Sequence, residues 1–470
     1  MRVTAPHLGF QLRGDILRLK LLKLLTNDEL KGDMEEEIAQ LAPNHSVVSL
    51  AQRLVQLQRL LDQVGTQRLP SLRPVPGASR PEIFHHRHRA FKCRIVLHVS
   101  LSPNIIPAAL TTTYSPETTR AWVDVDLTAL VANARKVAEV SGSRLLPMIK
   151  ANGYGLGAVE VARALDSVEP WGYGVASIEE GESLRAAGVS RPILVATPLL
   201  PQWIPRYLEL DLRPAIGDPT ALDAWTARSE LPFHLEIDSG MSRAGVRWND
   251  RAGLQHIRDR LTRAPGWEGV FTHFLDAESD PQTTELQWRR FQETLETLPR
   301  RPALVHAANS AAALQGSRYA GDLVRPGIFL YGGATGSATP RPVAALRGRV
   351  VAIRSLEAGD TVGYGGSWRT NRPCVIATLA VGYADGFPRS ARGAEPGGRE
   401  VELNGRVVPL VARVTMDMCM VLVDASVSIG DIGTIYGGLV SIGRQAESAG
   451  TIPYELLTRI GARVPRRYLT

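Results

Sequence analysis

The sequence predicts an α/β protein: a (β/α)8 barrel followed by a mostly β C-terminal domain, with a helical or poorly ordered N-terminal extension ahead of both. Three observations carry that reading. From Leu145 onward, short apolar runs alternate with longer stretches of helical period. After about residue 343 the helical period disappears and apolar alternation broken by turn signals takes over. The first 117 residues differ in composition from everything that follows, so the expected organisation is 1–117, 118–342 and 343–470.

In the extension, Leu17, Leu19, Leu21, Leu22, Leu24 and Leu25, then Leu54, Leu57, Leu60, Leu61 and Val64, have roughly helical spacing. Glu35-Glu36-Glu37 reads as a solvated helix face, and Pro70 to Pro81 as a linker. Six of the ten histidines lie here. His85-His86-Arg87-His88 is not read as a metal site, because the flanking arginines repel a cation and no acid supports the imidazoles. Three readings of the extension stay open: a poorly ordered appendage, a start assigned too far upstream, and a regulatory or partner-binding helical module.

Strands are expected at 145–150, 172–177, 192–197, 212–216, 233–238, 269–274, 303–308 and 323–329, with helices such as 158–166, 179–187 and 284–297 between them. Eight such units indicate a barrel rather than an open sheet. Lys150, Glu236, His273, Asn309, Ser310 and Arg325 fall in or just after the ends of these strands. In a barrel those ends converge on one face, so residues far apart in the chain can share one site. In the last third, 349–356, 374–381, 401–403, 407–414, 418–423 and 431–436 read as strands, with Asn404-Gly405 as a tight hairpin turn. Trp122 to Leu127, ahead of the barrel, can add a strand to that domain.

At 470 residues and 44% apolar content the chain suits two or three soluble domains. The net charge of +7 hints at nucleic acid, but residues 1–117 hold 15 Lys and Arg against 10 Asp and Glu, leaving 39 against 37 elsewhere. A nucleic-acid reading thereby loses its main support. Cys93, Cys374 and Cys419 are too few and scattered for a disulfide framework or zinc site, which fits a reducing compartment. No apolar run has the roughly 18 to 20 residues a membrane span needs. Asp15 and Arg18 interrupt the N-terminal apolar stretch, so no export signal is expected and the protein is read as cytoplasmic.

The chemistry starts at Lys150, which follows Leu145-Leu146-Pro147-Met148-Ile149 and precedes Ala151-Asn152-Gly153-Tyr154-Gly155-Leu156-Gly157. A lysine delivered from an apolar run into a glycine-rich, tyrosine-bearing loop can offer its amine to an aldehyde cofactor carrying a phosphate. Burial lowers a lysine pKa from about 10.4, freeing the amine for a Schiff base, and glycines allow close backbone approach to phosphate. Read alone, the same pattern also fits a snorkelling lysine at a strand end.

Other segments agree with the sharper reading. Together with Lys150 to Gly157, the runs Gly172-Tyr173-Gly174-Val175-Ala176-Ser177, Asp238-Ser239-Gly240-Met241, Thr272-His273-Phe274, His306-Ala307-Ala308-Asn309-Ser310, Arg325-Pro326-Gly327-Ile328, Gly382-Tyr383-Ala384-Asp385-Gly386, Val414-Thr415-Met416-Asp417 and Arg463-Val464-Pro465-Arg466 resemble alanine racemase. The match runs in order from about Arg120 to the C-terminus. It implies pyridoxal 5′-phosphate on a barrel followed by a β domain, and a homodimer in which each β domain completes the partner's barrel mouth. Its implied reaction is interconversion of L- and D-alanine for peptidoglycan precursors, with no nucleic acid or membrane involved.

The resemblance implies that Lys150 is one base and Tyr364, from the partner subunit, the other. A phenol with a pKa near about 10 is a weak base at neutral pH and needs a nearby positive charge or hydrogen-bond partner. Tyr154, Ser310, Tyr454 and the amides of Gly327 and Ile328 match phosphate contacts, and Asn309 falls among the cofactor-binding positions. His273 is placed beside the cofactor ring or its arginine, and Arg325 faces the pyridine nitrogen. A guanidinium only donates, so it would keep that nitrogen unprotonated and weaken the electron sink. Arg243 matches a contact to the cofactor's phenolic oxygen and the substrate carboxylate, Met416 a backbone contact to that carboxylate, and Tyr383 and Asp417 the entrance to the substrate pocket. No metal is expected.

One departure stands out. Where many family members carry a carbamylated lysine, this chain has Glu236, seven residues before Arg243. The acid supplies negative charge to orient Arg243, but it is about three atoms shorter, which leaves room for a bridging water. Three rivals remain: a broader amino-acid racemase, a non-catalytic cofactor carrier, which Tyr364, Tyr383 and Met416 argue against, and a decarboxylase, which would place an acid where Arg325 stands.

Overall fold

The computed structural model describes Ser115 and residues 117–336, 338–390 and 398–470. The helices and linker expected in the extension, and its His85, His86 and His88, lie outside the described residues.

The chain enters through β1 (Ala121–Asp126), and the Asp126 carboxylate accepts from the Ala129 amide to start α1 (Leu127–Ser141). That helix stops at Gly142, left-handed at φ 67°. The barrel follows as β2 (Arg144–Leu145), α2 (Ala158–Leu165), β3 (Tyr173–Val175), α3 (Ile178–Ala186), β4 (Ile193–Pro198), α4 (Ile204–Glu209), β5 (Arg213–Ile216) and α5 (Pro219–Thr226). It continues with β6 (Phe233–Asp238), a short β7 (Val246–Arg247), α6 (Arg251–Leu261), β8 (Trp267–Phe271), α7 (Pro281–Thr297), β9 (Leu304–His306), α8 (Ser310–Ala313) and β10 (Leu323–Val324).

From β3 to β9 the main strands pair in parallel in chain order. The ring closes because β10 pairs with β2, Met148 bridges Gly174 of β3, and the Arg325 amide donates to Ala308 beyond β9. The barrel expected from the alternation is thus formed. Two of its strands are shorter than the expected 145–150 and 323–329, because Pro147 and Pro326 follow close behind and have no amide to continue a ladder. Lys150 therefore does not end a strand but opens a turn.

The second domain is β11 (Ala344–Leu356), the small hairpin β12 (Thr361–Val362) and β13 (Trp368–Arg369), then β14 (Cys374–Leu379), β15 (Glu400–Leu403), β16 (Arg406–Val411), β17 (Cys419–Val423) and β18 (Ile432–Tyr436). Helices α9 (Ile442–Ser448) and α10 (Pro453–Thr458) and the last strand β19 (Arg466–Leu469) finish it. β11 pairs with β18 along one half and β14 along the other, shifting register between Val350 and Ala352, so β14, β17, β16, β15, β18 and β11 close on themselves. Asn404 and Gly405 turn between β15 and β16 with φ of 51° and 71°, the primed-turn geometry that Asn-Gly favours. β1 lies between β11 and β19, as the apolar run Trp122 to Leu127 suggested. One apolar core runs through both domains, from Leu130 and Val137 of α1 to Leu456 and Leu457 of α10.

Candidate active site

Immediately after Lys150 the backbone makes a left-handed turn: Ala151, Asn152, Gly153 and Tyr154 have φ of 53°, 54°, 62° and 54°. Such a conformation costs about 1–2 kcal/mol at each non-glycine residue, so surrounding contacts must hold it. Gly153 N–H donates to Ile149 O, Gly155 N–H to Ala151 O, and Ala158 N–H to the Asn152 side chain at 3.0 Å. At the exit, Arg466 donates to Gly155 O at 2.8 and 3.0 Å, and the Tyr468 hydroxyl donates to Leu156 O at 3.0 Å. The last strand of the β domain thus grips the turn that aims the lysine. Burial, then the Arg243 guanidinium, push the Lys150 amine below its ordinary value; Glu180 opposes them and Arg325 adds to them.

Arg325, 6% exposed, is held on several sides. It donates to Thr272 O at 2.6 Å and Ala307 O at 3.0 Å, reaches His273 Nδ1 at 3.3 Å and His306 Nδ1 at 2.8 Å, and lies over the Phe271 ring. Burial lowers it only to about 10, so it stays charged at neutral pH. Its contact with His306 begins a chain, since His306 Nε2 meets His234 Nδ1 at 2.8 Å and His234 Nε2 meets Glu268 Oε2 at 3.2 Å, beside Arg213 at 3.6 Å. A guanidinium only donates, so His306 Nδ1 must accept. It follows that Nε2 carries the proton on both imidazoles. Burial holds both below the ordinary histidine range, and burial with Arg325, Arg243 and Lys150 nearby pushes His273 down to about 3.

A cluster of hydroxyls and amides lies beside this charged group. Tyr154 stacks on Tyr331 at 4.4 Å, and its ring centroid is 6.0 Å from that of Tyr454 on α10. Ser310 Oγ accepts from Gly327 N–H at 2.9 Å and Phe329 N–H at 3.4 Å, and the Asn309 side chain caps α8 by accepting from Ala312 N–H. A Cβ placed on Gly327 would meet the Tyr154 hydroxyl at 2.3 Å, so only a bare backbone fits there. Neutral hydroxyl and amide donors suit a phosphate dianion, and the depressed amine and donor-only guanidinium suit an aldehyde-bearing pyridine. The residues present fit pyridoxal phosphate.

Glu236 points into the barrel from β6, 4% exposed, and its Oε2 has no hydrogen-bond partner among the described residues. Burial raises its carboxyl to about 7, with Arg243 and Arg325 pulling the other way. No hydrogen bond joins Glu236 to Arg243 among the described residues; the influence is through space. Arg243 sits exposed on the loop after β6, whose path is set by Asp238 accepting from Gly240 N–H and Ser242 N–H at 2.9 Å each.

The β-domain candidates form a separate group. Tyr364 is 71% exposed between Gly363 and Gly365, both left-handed, in the hairpin of β12 and β13, and no hydrogen bond or ring contact among the described residues ties it to the barrel. Tyr383 and Met416 are exposed on adjoining loops, tied by Tyr383 N–H donating to Thr415 O and Ala384 N–H to Met416 O. Arg463 fastens this lobe by donating to Asp417 at 2.7 Å and to buried Asp385 at 2.8 Å, where Arg120 also binds. Lys150, Tyr154, Arg243, His273 and Arg325 come together, and no hydrogen bond or ring contact among the described residues joins Tyr364, Met416 or Asp417 to them.

Residues 125–335 match the alanine racemase N-terminal domain and 343–468 the alanine racemase C-terminal domain. The chain belongs to the alanine racemase family. The alanine racemase of Halothermothrix orenii is 35% identical over 367 residues, spanning 74% of this chain and 96% of its own length. The alanine racemase of Bacillus anthracis, solved with bound L-Ala-P, is 33% identical with a TM-score of 0.68 over 76% of this chain and 96% of that one. The alanine racemase of Bartonella henselae, solved with covalently bound pyridoxal phosphate, is 29% identical with a TM-score of 0.69 over 75% and 100%.

Within this alanine racemase fold, sequence reasoning assigned no role to His234, His306, Glu268 or Glu180. His234 had a usable signal: with Glu236 and Asp238 it alternates along β6, so all three share a face. His306 stood in a quoted motif but gained its meaning only from Arg325.

Proposed function

We propose that this protein interconverts L- and D-alanine with pyridoxal phosphate, acting as a homodimer with shared sites. The observation that carries the reading is the pairing of a Lys150 amine lowered by burial with an Arg325 that can only donate. Lys150 would hold the cofactor aldehyde, Tyr154, Tyr454, Ser310, Asn309, Gly327 and Ile328 its phosphate end, and Arg325 and His273 its ring. Once bound, the cofactor supplies an electron sink that acidifies the alanine Cα–H.

Lys150 Nζ accepts or returns the Cα proton on one face, and the hydroxyl of Tyr364 of the partner subunit does so on the other. Arg243 binds the substrate carboxylate with the Met416 backbone, while Tyr383 and Asp417 line the entrance. Glu236 orients Arg243 by charge, consistent with its solitary buried oxygen. Tyr364, Met416, Met418 and Tyr383 are large apolar side chains left exposed in the β domain, and a second subunit would cover them. Among the described residues no helix is long and apolar enough to cross a membrane, and we place the protein in the cytoplasm, supplying D-alanine for peptidoglycan.

The test is incubation with L-alanine in deuterated water, following chirality and Cα exchange. Racemisation with exchange is expected; both are lost in Lys150→Ala, and racemisation is lost in Tyr364→Phe. Carbon dioxide release would indicate a decarboxylase instead, and absence of exchange a carrier.

A further inference from the structure

Glu180 lies at the third position of α3, where the Ser177 side chain accepts from its amide. Its carboxylate reaches back and spans two segments. Oε1 accepts from the Ala151 amide at 2.6 Å, and Oε2 accepts from the Ala176 amide at 2.7 Å. Ala151 opens the left-handed turn immediately after Lys150, and Ala176 follows the end of β3. The hydrogen bonds inside the turn begin with Gly153 N–H on Ile149 O, so the Ala151 amide points out of it and finds its acceptor in Glu180.

We propose that Glu180 is the positioning residue of Lys150: its carboxylate pins the left-handed turn to the end of β3 and keeps a negative charge beside the amine. The proposal rests on Lys150 being the reactive amine of the site. The groups that act on that amine are Arg243 from the loop after β6, Arg325 from beyond β10, and Glu180 from α3. His273 after β8 feels the lysine, and Tyr331, which stacks on Tyr154, feels Glu180. Glu180 is the group among these that favours the charged amine over the free one. Two cations alone would leave the lysine a weaker base; Glu180 moderates them while fixing the backbone from which the side chain departs.

Two variants separate these duties in the full-length holoenzyme. Glu180→Gln keeps the shape, removes the charge and turns a donor toward one of the two amides; Glu180→Asp keeps the charge but shortens the reach. Hydrogen exchange read by mass spectrometry is expected to quicken by about tenfold at Ala151 and Ala176 in both variants. Turnover falls in both. In Glu180→Gln the acid limb of the turnover profile moves down by about one pH unit, because losing a neighbouring negative charge disfavours the ammonium; in Glu180→Asp it stays in place.

An unmoved limb in Glu180→Gln would reduce the residue to an ordinary helix cap and end the proposal. Unchanged exchange at Ala151 in Glu180→Asp would end it equally, and that readout survives even if Glu180→Gln does not fold. Failure of the underlying site reading looks different: the unaltered enzyme would not racemise alanine, or Lys150→Ala would.

Discussion

Arg325 meets Nδ1 of His306 at 2.8 Å, and that single contact decides the protonation of the barrel interior as far as Glu268. Replacing His306 by Leu orphans a buried guanidinium N–H and His234 Nδ1 together. Each unsatisfied buried group costs about 1–3 kcal/mol, so unfolding free energy in denaturant is expected to fall by about 2–6 kcal/mol, with weaker cofactor retention. Nitrogen NMR of the unaltered protein should find Nε2 protonated on both His234 and His306.

The three buried histidines predict acid sensitivity. His273 drops from its ordinary value to about 3, and His234 and His306 are also lowered. Below pH 6.5 the unfolded chain binds protons that the folded chain refuses, so stability falls with falling pH. The loss approaches about 1.4 kcal/mol per pH unit for His273, and His234 and His306 act in the same direction. Urea unfolding between pH 7 and pH 5 should show this decline, and His273→Gln should flatten it in part.

Glu236 works in the opposite sense. Its folded carboxyl titrates near about 7, so above the unfolded value the native state holds a proton that the unfolded chain releases. Stability therefore falls as pH rises from about 4.5 to 7. Glu236→Gln should match the parent near pH 4 and exceed it at pH 8 by on the order of 3 kcal/mol in urea unfolding. If the carboxylate orients Arg243, the same variant loses an ionisation near neutrality from the kcat/KM profile; unchanged turnover and cofactor affinity would dispose of that role.

Gly155 closes the lysine turn at φ 82°, and a Cβ there would stand 2.3 Å from the backbone oxygen of Leu457 on α10. Gly155→Ala combines conformational strain with a clash against rigid backbone. A loss of about 2–4 kcal/mol is expected from strain and displacement together, measured as a lowered thermal midpoint with reduced cofactor content.

Much of this was legible in the chain. The alternation after Leu145 announced the barrel, and Lys150, His273 and Arg325 fell near strand ends, which is why they meet. The left-handed turn was not legible, because Ala151 and Asn152 adopt it under forces from Glu180, Arg466 and Tyr468, two of them more than 300 residues away. Pro147 and Pro326 stood in plain sight, yet apolar content masked their effect on strand length. The histidine chain is a product of barrel closure: His234 and His306 become neighbours only when β6, β8 and β9 lie side by side.

β1 sits between β11 and β19, pairing Val123 with both Leu346 and Arg466. Seen from the sheet, the whole barrel is a detour taken between two adjacent threads of one fabric. Arg466 and Tyr468 reach Gly155 and Leu156 from 311 and 312 residues further along the chain, so the clasp on the Lys150 turn waits for everything between them to be made. A fragment cut at the domain junction would leave β11 and β19 with a gap between them and no thread to fill it, so the two halves are separable on paper but not at the loom.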